Sequence, residues 1–258
     1  MYQYIKTEEN NRIGYLILNR VEKKNALNFD FAKEIKEALN EWKSNTAIKA
    51  VVIKANGDVF SAGADLDVLK QLQVNTFEEN LEDSRHLKEL FEIIATYPKV
   101  VIAQVEGHAI AGGCGLATIC DFCFAVPEAQ FGYTEVKIGF IPALVSIFLV
   151  RKIGEMKAKE LLLTGKLISA NEAKAFGLIN NTFEKSMIAE ATTQFAEKIA
   201  NETSLNSIAQ TKELMVQTWH LPFKEAMDTA AQYNANSRAS EDCKKGIQAF
   251  LNKERIAW

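Results

Sequence analysis

Val100-Val101-Ile102-Ala103-Gln104-Val105 runs by way of Glu106 into Gly107-His108-Ala109-Ile110-Ala111-Gly112-Gly113-Cys114-Gly115-Leu116-Ala117, and this stretch decides the fold class. Its first residues form a nearly unbroken apolar run, the mark of a strand buried on both faces. Small residues from 111 to 115 then break the pattern, and a helix-like segment begins. The same design stands upstream. Ala50-Val51-Val52-Ile53 is followed by the turn signal Asn56-Gly57-Asp58 and by Phe60-Ser61-Ala62-Gly63-Ala64-Asp65-Leu66. Further strands read at 13–18 and 121–126. A helix reads at 29–42, with apolar residues at 29, 32, 35, 38, 39 and 42 and Asn28 as its cap. Another reads at 77–95. Strands joined by helical crossovers pair in parallel, so the expectation is an α/β fold. From about residue 152 the chain reads as helix: 156–163, 170–176, 187–200, 205–218, 223–236 and 241–252, with Gly165 and Gly177 at helix stops.

The 258 residues are 48% hydrophobic and 24% charged, ordinary proportions for a globular protein and wrong for a disordered, collagenous or coiled-coil chain. The net charge of −3 weighs against a nucleic-acid partner, which needs a basic footprint. Four cysteines do not make a disulfide scaffold in a chain of this length. Cys120 and Cys123 have C-x-x-C spacing without a second pair, and read as small core thiols. The N-terminal residues lack the pattern of a secretory leader, and the longest apolar stretch, 138–150, is too short to span a bilayer and contains Pro142. The expectation is a cytoplasmic protein without membrane contact.

Each of the two small-residue loops follows a strand and opens a helix, so each can present free main-chain N–H groups at a helix N-terminus. Taken singly, each also reads as a tight strand-to-helix connection. Together they can aim two donors at one oxygen. Phosphate-loop, H-E-x-x-H and G-x-S-x-G motifs are absent, and no metal site is expected. His108 precedes the Gly-Gly step and reads as structural; His86 lies in a polar helical stretch and His220 near a helix end. Glu135 stands in the apolar run Phe131–Pro142. In an apolar pocket its pKa would rise, which suits proton transfer. Pairing with Lys137 or Lys152, or exposure on a loop, fits the pattern equally well.

Taken together these segments resemble the crotonase superfamily, the enoyl-CoA hydratase/isomerase fold. The likeness spans nearly the whole chain. It rests on 25–28 (Asn-Ala-Leu-Asn), 61–66 (Ser-Ala-Gly-Ala-Asp-Leu), 107–121, 129–142, 162–178 and 241–250. The resemblance implies a spiral of β-β-α units over 1–195 and a helical C-terminal oligomerisation region over 196–258, assembling as a homotrimer or a dimer of trimers. It also implies an acyl-CoA substrate, with coenzyme A as part of that substrate and no separate cofactor. Residue by residue, the N–H groups of Ala64 and Gly112 would form an oxyanion hole and Glu135 would handle the α-carbon proton. Lys24, Ala26, Leu27, Ala62, Asp65, Leu66, Gly113, Gly115, Pro142 and Leu144 would contact the substrate or its CoA, with Lys23 a further candidate for the CoA phosphates.

Two departures qualify the match. Hydratases with two glutamates carry the first where this chain has Gly115, and a glycine-rich turn where it has Ile141-Pro142-Ala143-Leu144-Val145. One carboxylate suffices for a 1,3-proton shift, so the chemistry alone leans toward a Δ3,Δ2-enoyl-CoA isomerase. The likeness of 134–145 to bacterial hydratase-like members, including methylglutaconyl-CoA hydratases of leucine degradation, leans toward a hydratase or dehydratase of short or branched acyl chains. The expectation adopted is the hydratase, a lyase of fatty-acid or leucine breakdown. A non-catalytic scaffold or RNA-binding protein on the same fold would be expected to have lost Glu135.

Overall fold

The computed structural model describes residues 2–256 and 258. Met1, part of the N-terminal stretch read for a leader, and Ala257 lie outside the described residues. β1 (Ile5–Asn10) and β2 (Ile13–Leu18) form an antiparallel hairpin. A 3-10 turn at Val21–Lys23 then leads to α1 (Phe29–Ser44). Asn28 caps α1 by accepting the Phe31 N–H at 2.9 Å, and the predicted stripe buries Phe31, Ala32, Ile35, Ala38, Leu39 and Trp42. Phe29, the first residue of that stripe, is instead exposed at the helix start.

Three turns of one repeating unit follow. The first is β3 (Ala50–Ala55), β4 (Val59–Ser61), α2 (Leu66–Leu72) and α3 (Phe77–Ala95). The second is β5 (Val100–Val105), β6 (His108–Ile110) and α4 (Gly112–Ile119). The third is β7 (Phe122–Ala125), β8 (Gln130–Gly132), a 3-10 turn at Glu135–Ile138, and α5 (Ala143–Thr164). β9 (Ile168–Ser169), α6 (Ala170–Ala175), β10 (Asn181–Thr182), α7 (Ile188–Glu202), α8 (Leu205–Gln217), α9 (Phe223–Ala239) and α10 (Glu241–Asn252) complete the chain.

Each turn gives its first strand to one sheet and its second to another. The larger sheet has the order β1-β2-β3-β5-β7-β10 and is parallel apart from the β1–β2 hairpin. The smaller has the order β4-β6-β8-β9, parallel apart from β8–β9. This is the expected α/β spiral of β-β-α units. β2 and β5 are buried at every position, which explains their largely apolar runs, with Gln104 the one polar side chain in β5.

Two expectations need correction. The helix read from 156 begins at Ala143, because the apolar stretch after Pro142 is helical, with a break at Gly154 (φ 76°, ψ 160°). A boundary between 195 and 196 would cut α7, which buries Ile188, Thr192, Ala196 and Ala200 and packs on β2, β3, β5 and β7. Helix α7 belongs to the core, and the change of character comes after it: α8, α9 and α10 contribute no fully buried residue.

Candidate active site

The first small-residue loop is stitched to the turn before α1 by main-chain bonds. Ala62 N–H donates to Lys24 O at 3.0 Å, Leu27 N–H to Gly63 O at 2.6 Å, and Asp65 N–H to Leu27 O at 2.9 Å. Residues 63 and 65 thus supply the bridge between Leu27 and Ala64. In such parallel pairing the N–H of Ala64 itself points to the other side. Among the described residues it donates to no protein acceptor.

The second loop arrives beside it through the β4–β6 pairing. Gly63 has φ +92°, and a Cβ there would lie 2.9 Å from the Ala111 Cβ and 3.6 Å from the Gly112 N, so only glycine permits the approach. Ala111 is held at φ 51°, ψ −126° while its own N–H donates to Gly132 O at 2.7 Å. Such a backbone typically costs about 1–3 kcal/mol and is found where a site requires it. Gly112 opens α4, so its N–H has no partner within the helix. Ala64 and Gly112 line one cavity of about 500 Å³.

Glu135 lines the same cavity. Tyr133, fully buried, anchors the segment through a 2.8 Å bond between its hydroxyl and Thr118 Oγ1 on α4. Glu135 then begins a 3-10 turn closed by Gly139 at φ 77°. Its Oε2 is buried without a hydrogen-bond partner, and burial raises its pKa above the ordinary 4.5. Neither expected lysine pairs with it. Lys152 Nζ donates to the carbonyls of Thr118 at 2.5 Å and Cys120 at 3.1 Å, and Lys137 makes no ion pair among the described residues.

Of the other predicted contacts, Leu27, Ala62, Leu66, Pro142 and Leu144 line the cavity. Lys24, Ala26, Asp65, Gly113 and Gly115 do not. Lys24 is an exposed cap of the turn at 21–23, and Ala26 is buried behind it. The Asp65 carboxylate turns inward to Arg20 Nη1 at 2.5 Å and caps α2 through the Asp67 N–H at 2.9 Å. A Cβ on Gly113 would meet Ser61 O at 2.5 Å, so this glycine lets α4 pack on β4. A Cβ on Gly115 would meet Val145 Cγ1 at 2.5 Å and Phe91 Cζ at 3.2 Å. Apolar side chains therefore close the place from which a second carboxylate would reach the site.

The cavity wall also holds Leu69 and Leu72 of α2 and Asp83, Leu87 and Phe91 of α3, which the sequence reading did not single out, together with His86, which it read only as part of a polar helical stretch. His86 stacks on Phe29 with ring centres 3.7 Å apart. Its Nδ1 lies 3.0 Å from the Lys36 ammonium and must accept, so Nε2 carries the hydrogen and donates to Phe29 O at 2.9 Å. Burial, helped by Lys36, lowers its pKa, and the stacking and hydrogen bonds fix the ring in place. The pattern 83, 87, 90, 91, 94 shares one face of α3, the signal from which Asp83 could have been found.

The remaining candidates are structural. Cys114, Cys120 and Cys123 are buried, and burial raises all three thiol pKa values, those of Cys114 and Cys120 to about 12. His108 Nδ1 accepts the Gln130 N–H at 3.2 Å. Among the described residues there is no cluster of metal-binding side chains and no helix long and apolar enough to cross a membrane.

The sequence model of a family described as enoyl-CoA hydratase/isomerase matches residues 8–258. A Thermus thermophilus protein provisionally named enoyl-CoA hydratase is 41% identical over 245 residues, covering 95% of this chain and 96% of its own. The 2,3-dehydroadipyl-CoA hydratase of Escherichia coli K12 is 30% identical, over 94% of this chain and 93% of its own. The crystal structure of an enoyl-CoA hydratase from Shewanella pealeana superposes with a TM-score of 0.93 at 29% identity, covering 100% of this chain and 96% of that one.

Proposed function

The chain belongs to the enoyl-CoA hydratase/isomerase family, and from that premise we propose that it adds water across the C2=C3 bond of a short or branched enoyl-CoA thioester. The thioester oxygen sits between the N–H groups of Ala64 and Gly112. As water attacks C3, charge moves onto that oxygen, where fixed donors stabilise it; loss of one such donor typically costs about 3 kcal/mol. Glu135 carries the protons. The hydroxyl of water bonds to C3 and its proton passes to one Glu135 oxygen, while the proton held on the other oxygen goes to C2. The carboxyl group ends each turnover as it began, and one acid does the work of two. CoA enters and leaves as part of the substrate, so the reading requires no separate cofactor.

The observation that carries this reading is a buried, unpartnered carboxylate oxygen in a cavity that also holds two main-chain N–H groups without protein acceptors. The test is hydration of crotonyl-CoA, followed by loss of the enoyl absorbance. Glu135→Gln is expected to lower kcat by about two to four orders of magnitude, the usual worth of a general acid–base group. Absence of hydration by the wild-type protein, or an unchanged rate in the variant, overturns the proposal.

The apolar closure around Gly115 favours a second reading, the Δ3,Δ2-enoyl-CoA isomerase, because a 1,3-proton shift needs only one carboxylate. Conversion of a 3-enoyl-CoA without net hydration would decide for it. A scaffold without catalysis would have no use for the buried Glu135. The hydratase reading includes a reducing, cytoplasmic setting, supported by four unpaired cysteines. It also includes assembly as a trimer or a dimer of trimers, supported by the exposed apolar residues of α8–α10.

A further inference from the structure

Asp83 is a second carboxylate on the wall of the acyl cavity. It lies two turns of α3 before Phe91, about 12 Å along the axis at 1.5 Å per residue, and Phe91 is the ring that packs toward Gly115. It therefore stands away from the apolar closure at Gly115 along the same helix. No protein group among the described residues hydrogen-bonds or ion-pairs with its carboxylate. The cavity wall carries no lysine or arginine, and its titratable groups are Asp83, His86 and Glu135. Lys36 is committed to His86 at 3.0 Å and to Glu89 at 2.7 Å. Burial raises the pKa of Asp83.

We propose that Asp83 selects acyl chains by charge, excluding those that end in a carboxylate and admitting those whose far end is neutral or donates a hydrogen bond, such as a hydroxyl. This rests on the thioester reading of the cavity. Two carboxylates sharing one partly dry site raise each other's free energy of ionisation, and no cation stands there to offset it. On this ground the methylglutaconyl group, whose far end is a carboxylate, is a poor substrate despite the likeness of 134–145.

Binding of saturated thioesters, measured by calorimetry, tests the proposal apart from turnover. Hexanoyl- and octanoyl-CoA are compared with adipoyl- and suberoyl-CoA, which carry a terminal carboxylate. The wild-type protein is expected to bind the dicarboxylic thioester at least tenfold more weakly at one or both chain lengths. Asp83→Asn is expected to bring that ratio below threefold, and Asp83→Lys to reverse it. Because the ratio is taken within one protein, a general loss of affinity or stability does not mimic the result. Ratios within threefold in the wild type, or unchanged in both variants, overturn the role of Asp83. Binding selectivity without hydration of crotonyl-CoA overturns the hydratase reading alone, and absence of binding by every thioester overturns both.

Discussion

Glu135 sits where burial works against its charge, and this has a consequence for stability. Its raised pKa means that the folded protein keeps the proton to a higher pH than the unfolded chain does. Between the two pKa values the native state binds more protons, so this group's contribution to stability falls as pH rises through that window above 4.5. Glutamine has no charge to desolvate. Glu135→Gln is therefore expected to melt at a higher temperature than the wild type at pH 7–8, with the gap closing toward pH 4. Calorimetry across that range checks it, and a variant less stable at every pH would show a stabilising contact instead. The same side chain illustrates the reach of sequence reasoning. Its position in an apolar run left pairing and burial equally open, and only the packing of Tyr133 against Thr118, with Lys152 spent on two carbonyls, separates them.

Among the elements, the loop carrying Ala64 is held by a buried ion pair. Burial alone would raise the Asp65 pKa, but the Asp67 N–H and the Arg20 guanidinium outweigh it and hold the carboxyl below its usual value. Arg20 and Asp65 side chains are 9% and 3% exposed. Removing one partner of such a pair leaves the other charge stranded, typically at a cost of about 3–5 kcal/mol. Asp65→Ala is expected to lose stability on that scale in urea unfolding and to bind CoA thioesters more weakly, since the loop also loses the cap of α2. A loss below about 1 kcal/mol would show that the pair does not hold the loop. Apart from the first half of α5, helices of three or more turns were legible because amphipathic spacing repeats within them; α3 and α10 match their predicted spans. β4, β6 and β8, of three residues each, are too short to show a period. The sheet they build was therefore hidden, although it sets the two loops side by side.

At the scale of the whole molecule, the spiral encloses its own core, whereas α8–α10 leave apolar side chains uncovered. Phe223 and Phe250 are 83% and 81% exposed in the single chain. A surface of this kind is characteristic of subunit contact. Sedimentation equilibrium is expected to give the mass of a trimer or hexamer, and Phe250→Asp to shift it toward the monomer; a monomeric wild type would refute the assembly. The sequence by itself determined the α/β class, the parallel crossovers, the helical C-terminal region and the places of both small-residue loops. These follow from local periodicity and from residue types that only certain backbones accept. Tertiary structure alone decided which of the named residues face the cavity. It turned Asp65 inward to Arg20, closed position 115 with Val145 and Phe91, and brought Asp83 to the cavity wall. Facing is a relation between elements distant along the chain, and no local pattern encodes the neighbour that fills a space or the charge that is missing from a wall.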